Sequence, residues 1–359
     1  MANLVDALAS FAGKRVLITG DTGFKGSWLS LWLQQHGALV HGYALPPDGP
    51  KCHYSLLNLG SVIQHENGDI RDQDHLLKYF TQVQPECVFH LAAQALVRRS
   101  YREPKETFDT NIGGSINVLE CVRATPSVQA LVYITSDKCY RNREIDVGYK
   151  EDDQLGGHDP YSASKAGAEI VFAAYNESLY RNRSHFGAAS ARAGNVIGGG
   201  DWSEDRIIPD CIRALQNKKP IVLRHPHATR PWQHVLEPLS GYITLGARLM
   251  HDPESVSGSW NFGPPETAVH SVEDVARECI NAWGSGTVSI EPNDDQLHEA
   301  MLLKLNCDKS RDFLQWLPRW DFAQTIRETV SWYRSTHEGR SVIDISSEQL
   351  KHYERSAHD

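Results

Sequence analysis

Several things are missing from this sequence, and each absence removes a class of function. Nowhere in its 359 residues does an apolar run approach the ~20 positions needed to span a bilayer, so no membrane-spanning role is expected. The opening residues, Met1-Ala2-Asn3-Leu4-Val5-Asp6, carry no basic stretch followed by an apolar core, as a secretory leader would. The seven cysteines are scattered, with no CxxC and no zinc-knuckle spacing, as expected of a cytoplasmic chain kept reduced. Positive charge is short as well. Against 36 Lys and Arg stand 45 Asp and Glu, a formal net charge of -9, whereas a nucleic-acid binder needs a basic face. There is no internal repeat and no low-complexity segment. The composition, 40% hydrophobic and 23% charged, is that of a globular enzyme. Its length exceeds what one core usually supports, so two lobes around a cleft are expected.

What is present begins with a glycine-rich turn. Arg15-Val16-Leu17-Ile18-Thr19 reads as a short buried strand and runs into Gly20-Asp21-Thr22-Gly23-Phe24-Lys25-Gly26. A helix carrying Trp28, Leu29, Leu31, Trp32 and Leu33 follows. Strand, turn and helix in this order are what a dinucleotide fingerprint requires. Gly20 permits the tight turn, Gly23 lets the backbone approach a pyrophosphate, and Gly26 allows close helix packing. The helix amino terminus then offers free N–H groups and its dipole to the phosphates. A plain turn would explain the glycines but not their flanks. The second strand, near Leu39-Val40-His41-Gly42-Tyr43, runs into Ala44-Leu45-Pro46-Pro47, where an acid should hold the adenosine ribose of NAD. No arginine pair marks NADP there, so NAD is expected, with that ribose contact unassigned.

A second feature is Tyr133-Ile134-Thr135-Ser136-Asp137-Lys138, an apolar run that stops in hydroxyls, a carboxylate and an amine. A parallel sheet presents its chemistry at such strand ends. Downstream, Tyr161 and Lys165 open a helix expected to run to Arg181, with Ile170, Val171, Phe172, Ala174 and Tyr175 at helical spacing. Residues four apart share a helical face, so the Lys165 ammonium should favour the Tyr161 phenolate and lower its pKa from about 10. Tyr161 is then a base for an alcohol proton while hydride leaves the same carbon. Asp137 and Lys138 add an acid/base pair that alcohol oxidation alone does not need. Such a pair suits β-elimination: a ketone at C4 of a hexose acidifies the C5 proton, and the C6 hydroxyl can leave. Lys138 can be the C5 base only when neutral; otherwise it stays charged and stabilises an enolate. The plain reading of the pair is an exposed turn with a local ion pair. Cys139 reads as packing.

These motifs, with Gly68-Asp69-Ile70, His90-Leu91-Ala92-Ala93-Gln94, Arg192-Ala193-Gly194-Asn195-Val196-Ile197-Gly198 and Gly200-Asp201-Trp202-Ser203-Glu204-Asp205-Arg206, resemble the extended short-chain dehydrogenase/reductase family. Within it the chain is similar to the nucleotide-sugar 4,6-dehydratases. The commoner members carry Asp-Glu, or a glutamate alone, where this sequence has Asp137-Lys138. The resemblance implies an α/β protein with a Rossmann-type doubly wound parallel sheet and a smaller, interleaved carboxyl-terminal lobe. Residues 1–194 would bind NAD and receive the segment 236–262, with 195–359 mainly holding a nucleotide-diphosphate sugar, CDP-glucose. Cofactor contacts would come from Gly20, Thr22, Gly23, Phe24, Lys25, Gly26, Asp69, Ile70, Leu91, Ala92, Ala93, Asn111, Thr135, Tyr161 and Lys165. Ser136 would hold the sugar O4, and Gln94, Asn195, Arg206 and Arg230 would bind substrate. Asn111 would support the tyrosine through water. A homo-oligomer, dimer or tetramer, and a role in deoxysugar synthesis for surface polysaccharide are also implied.

The residues of the second half agree with an anionic ligand. Leu223–His234 is locally basic in an acidic chain, and Arg230 and Arg206 can each bond a diphosphate bidentately. Zinc on His225, His227 and His234 is opposed by irregular spacing and by Arg224 and Arg230, so no metal is expected. Trp232 suits a stacked base or the core equally. The polar tail beyond Gly339 is expected to be ordered only against a neighbour. Two other functions stay open: a nucleotide-sugar 4-epimerase, which needs only Ser136, Tyr161 and Lys165, and a non-catalytic NAD(P) sensor, which needs none of them.

Overall fold

Strands buried at nearly every position need cover on both faces, and the middle of the sheet is made of four such segments. They are β1 (Arg15–Thr19), β4 (Cys87–His90), β5 (Ala130–Ile134) and β6 (Gly187–Ala193). In the computed structural model, which describes residues 3–203, 206–291 and 302–356, they form the middle of a seven-stranded sheet. Between β1 and β4 in the chain come β2 (Leu39–Ala44) and β3 (Gln64–Asn67). The seventh strand is Gly258–Phe262. Its neighbour is β6, and the order then runs β5, β4, β1, β2, β3. Every pairing is parallel. The chain thus reverses its direction of sheet building between β1 and β4, which opens a crevice at the strand carboxyl ends. This is the Rossmann-type α/β fold.

One face is covered by Trp28, Trp32, Leu239, Tyr242 and their neighbours, the other by Leu76, Phe80, Leu119 and Phe172. Pro104–Phe108 and Ser115–Ala124 are helices joined by a π turn, Asp109–Gly114, that contains Asn111. The expected helix from Tyr161 is Pro160–Ala174, continued by a second π turn to Tyr180. The helix Leu236–His251 is almost wholly buried, and the strand after it pairs Trp260 with Ala191 of β6. The polar tail departs from expectation. Val342–Arg355 is a helix of this chain's own core, with Val342, Ile345, Leu350 and Tyr353 buried. Its anchors are polar: Trp32 Nε1 donates to Glu354 at 2.7 Å, and Tyr353 Oη donates to Glu237 at 2.6 Å. Glu204 and Asp205 lie outside the described residues.

Candidate active site

The turn after β1 is built so that only glycine fits. Gly20 has φ +80°, and a Cβ on it would stand 2.7 Å from Ala92 N. A Cβ on Gly26 would stand 2.0 Å from Gly20 O, so helix and turn touch backbone to backbone. Gly23 caps the helix Phe24–Gln35 with no side chain, leaving the first N–H groups facing a cavity of about 910 Å³. Gly20, Thr22, Gly23, Phe24, Lys25 and Gly26 line that cavity, with Asp69 and Ile70, and Leu91, Ala92 and Ala93 after β4. A bare helix terminus against a glycine cradle, with small side chains beyond, fits a dinucleotide pyrophosphate and its flat rings. Ala44 and Leu45 line the cavity where a ribose-binding acid would stand. The Asp69 carboxylate is held in a fork by Arg71, with Nη2 at 2.6 Å and Nε at 2.9 Å, and that hydrogen bonding keeps it below the usual carboxylate range. Asp21, unremarked in the sequence, is buried on His65 Nδ1 at 2.8 Å and takes the space that Gly42 leaves empty.

On the other side of the crevice β5 ends at Ile134, and Thr135, Ser136, Asp137 and Lys138 line the same cavity as Tyr161 and Lys165. Asp159 caps the helix, accepting from Ser162 N at 2.9 Å, and Pro160 occupies the first turn. Tyr161 and Lys165 are buried near its start, 7% and 6% exposed. Thr135 donates its hydroxyl proton to Glu169. Ser136 donates to Asp137 Oδ1 at 2.9 Å and accepts from Lys138 N at 3.2 Å. Lys138 is half-buried in a short 3₁₀ turn. Cys139 is fully buried, and burial pushes its thiol well above the ordinary range.

The expected depression of the Tyr161 pKa is absent. Burial pushes it up to about 12; a hydrogen bond with Ser136 opposes the rise, Asp137 adds to it and Arg206 opposes it. Lys165 itself is pulled down to about 8 by burial, with Glu169 resisting. Loss of water around the phenol therefore outweighs the cation one helical turn away.

Lys25 is the residue whose environment the sequence hid. Its position in the fingerprint suggested a cofactor contact, yet its Nζ reaches Tyr242 Oη at 3.4 Å. Tyr242 belongs to the helix Leu236–His251, far along the chain. Burial pulls the Lys25 ammonium down to about 7; Arg206 and Lys165 add to the fall and Asp137 opposes it. Glycine spacing carries no trace of Tyr242, so only the fold could bring these groups together.

The expected substrate residues divide. Asn195, Arg206 and Arg230 line the cavity, and Arg206 Nη1 is paired with Asp201 at 2.9 Å. Gln94 lines it too, but its amide is spent on Leu96 O, Leu96 N and Thr107. Asn111 is not on the cavity wall. It is 1% exposed and clamps Gln94 N at 2.8 Å, Gln94 O at 3.0 Å and Ser164 Oγ at 2.8 Å. A side chain so occupied shapes the site. Trp232 lines the cavity while its Nε1 donates to His270 O at 3.3 Å. His234 is buried against Trp320, away from the exposed His225 and His227. Among the described residues no group of three His, Cys, Asp or Glu side chains could hold a metal ion. Beneath the site lies a network that the sequence reading missed: Glu169 paired with Arg192 at 2.7 Å, both nearly inaccessible. Its signal was the spacing Tyr161, Lys165, Glu169, one helical face in steps of four.

Residues 17–329 match the family model described as GDP-mannose 4,6 dehydratase. The chain is 44% identical over 345 residues to CDP-glucose 4,6-dehydratase of Salmonella typhimurium, covering 95% of this chain and 96% of that one. A solved epimerase of Methanothermobacter thermautotrophicus has a TM-score of 0.80 at 25% identity, covering 93% of this chain and 96% of the other. The dTDP-glucose 4,6-dehydratase of Bacillus anthracis, solved in complex with NAD, shares the fold with a TM-score of 0.74 at 22% identity, over 91% and 98% of the two chains.

Proposed function

The chain belongs to the GDP-mannose 4,6-dehydratase family, and from that premise we propose that it converts CDP-D-glucose to CDP-4-keto-6-deoxy-D-glucose and water, with NAD as a resident cofactor. The observation that carries this reading is the carboxylate of Asp137, 3% exposed, sharing one cavity with Ser136, Tyr161 and Lys165. An alcohol dehydrogenase or a 4-epimerase has no step for that acid.

NAD, when bound by the glycine turn and the helix amino terminus, supplies a hydride acceptor that becomes a hydride donor. The chain's own residues move the protons. Tyr161 receives the proton of O4 as C4 becomes a ketone. Lys138 takes the acidified C5 proton and later returns it, while Asp137 protonates the departing C6 oxygen. Arg206 and Arg230 bond the diphosphate, and Asn195 lines the same cavity. Asn111 and Gln94 hold the loop after β4 rigid, which fixes the crevice floor. No described helix is long and apolar enough to cross a membrane. We further infer a homo-oligomer assembled through the helices that carry Asn111 and Tyr161.

The second reading, a nucleotide-sugar 4-epimerase, is favoured by the likeness to the Methanothermobacter epimerase. CDP-glucose carrying deuterium at C4 separates the two. The dehydratase yields a 4-keto-6-deoxy product lighter by water, with deuterium on C6 of the same molecule by NMR. An epimer retaining deuterium at C4 would sink the proposal.

A further inference from the structure

Arg206 is a long, flexible side chain, and the loop before it supplies the group that holds it. It stands directly before the helix Ile207–Gln216, in extended backbone, lining the cavity with its side chain 36% exposed. An arginine left free at such a place samples many rotamers, and a ligand that fixes it must overcome that freedom. Here Nη1 donates to Asp201 Oδ2 at 2.9 Å. The plain account of this contact is a local surface ion pair of little consequence.

Three observations speak against that account. The Asp201 side chain is only 5% exposed, and a buried carboxylate costs stability unless its partners offset it. Both of its oxygens are engaged, since Oδ1 accepts from Ser203 N at 3.1 Å. The backbone beneath it is gripped from two elements. Tyr333 Oη, on the helix Phe322–His337, donates to Asp201 O, and Trp28 Nε1, on the helix Phe24–Gln35, donates to Gly199 O at 2.9 Å. A Cβ on Gly199 would stand 2.1 Å from the Trp332 ring, so the loop backbone lies directly on that ring. Asp201 is therefore a fixed acceptor to which Arg206 is tied. A guanidinium has five N–H donors, and Asp201 engages it through Nη1, which leaves donors enough to meet two phosphate oxygens.

Resting on the reading that Arg206 bonds the substrate diphosphate, we propose that Asp201 is a positioning residue for nucleotide-sugar binding, holding the Arg206 guanidinium in its binding geometry before the diphosphate arrives. The carboxylate is no ligand of the diphosphate itself, because two anions repel. Its whole contribution passes through Arg206, by removing rotamers that binding would otherwise have to remove. The diphosphate is not altered in the reaction, so this gain is shared by the ground state and the transition state. It belongs to KM and not to kcat. The grip of Trp28 and Tyr333 on the loop places that acceptor, so the helix after the glycine turn and a carboxyl-terminal helix both set the substrate arginine.

The test is a double-mutant cycle, read by calorimetric titration of CDP into the NAD-loaded protein and by steady-state turnover of CDP-glucose. Asp201→Ala should weaken CDP and raise KM by about 10-fold, with kcat within about twofold of the wild type. Asp201→Asn, which keeps an acceptor oxygen for Arg206, should recover most of that loss. With Arg206→Ala already in place, Asp201→Ala should weaken CDP no further, because its route to the ligand is gone. An equal loss in both backgrounds, as collapse of the loop would give, overturns the positioning role. So does a fall in kcat at unchanged KM, or an Asp201→Ala protein that binds CDP as the wild type does. An Arg206→Ala protein that binds CDP unchanged removes the diphosphate contact on which the proposal stands. A wild type that binds CDP but leaves CDP-glucose unconverted overturns the dehydratase reading instead, and the CDP titrations still decide the role of Asp201.

Discussion

Two lysines compete for one proton. Lys138 follows Asp137 directly, and it lines the cavity. Lys25 enters from the glycine turn, and its ammonium is pulled down to about 7 by burial, so near neutrality it exists in both forms. If Lys138 is the C5 base, Lys138→Met keeps nicotinamide reduction but slows elimination by about 10²-fold, measured by rapid-quench analysis with CDP-glucose. Elimination at the wild-type rate in that variant would move the base to Lys25. A stability measurement probes Lys25 independently. Its folded pKa lies below the unfolded 10.5, so the folded protein bears the full cost of a buried cation below about pH 7 and loses that cost as pH rises toward 10.5. The stabilisation by Lys25→Met in thermal unfolding should therefore be largest at the acid end and shrink as pH rises. A shift in Tm that is the same across that window would refute the buried-cation account.

The catalytic edge is held by ties among three elements: the end of β5, the strand β6 and the helix Pro160–Ala174. Glu169 accepts from Thr135 with one oxygen and from Ser190 and Arg192, at 2.8 and 2.7 Å, with the other. Arg192 also donates to Tyr140 Oη at 2.7 Å and Glu151 O at 2.9 Å. Removing one charge of a buried pair strands the other, at a cost of about 3–5 kcal/mol. Glu169→Gln should lose about that much in urea unfolding, and a loss under about 1 kcal/mol would show that the pair does not tie the edge together. The legibility of these elements followed their burial. Central strands β1, β4, β5 and β6 are apolar runs and were readable, whereas β3 is Gln-His-Glu-Asn, a sheet edge with no need of an apolar pattern. The π turn that aims Asn111 inward leaves no mark in hydrophobic periodicity, so its hold on the Gln94 backbone was not legible. The glycine turn and the pair Tyr161 and Lys165 were legible because each is a local pattern. Tyr242 beside Lys25 was not, because that contact spans most of the chain.

At the scale of the molecule, the carboxyl-terminal helices fold back to close the core. Glu237, inside the helix Leu236–His251, accepts from the backbone of Arg319 and Trp320 and from Tyr353 Oη, which binds the last helix to the sheet face. That closure uses the surface near the Trp32 side of the sheet and leaves the other face with apolar side chains in water. Ile170 is 58% exposed and Leu179 is 51% exposed, on the helix that carries Tyr161 and its π-turn continuation; Phe108, beside Asn111, is 37% exposed. A second copy pairing these helices about a two-fold axis would bury each such residue twice. The inward side of the same helix carries Tyr161, Lys165 and Glu169, so a partner against its back would also stiffen the catalytic groups. Burying one isoleucine contributes about 1.5–3 kcal/mol, doubled by symmetry, and Ile170→Glu should weaken association by at least about 10²-fold. Sedimentation velocity over a concentration series should show the wild type as a dimer or larger and Ile170→Glu shifted toward monomer. A wild type that is monomeric at micromolar concentration, or a variant that associates unchanged, would place the interface elsewhere or remove it.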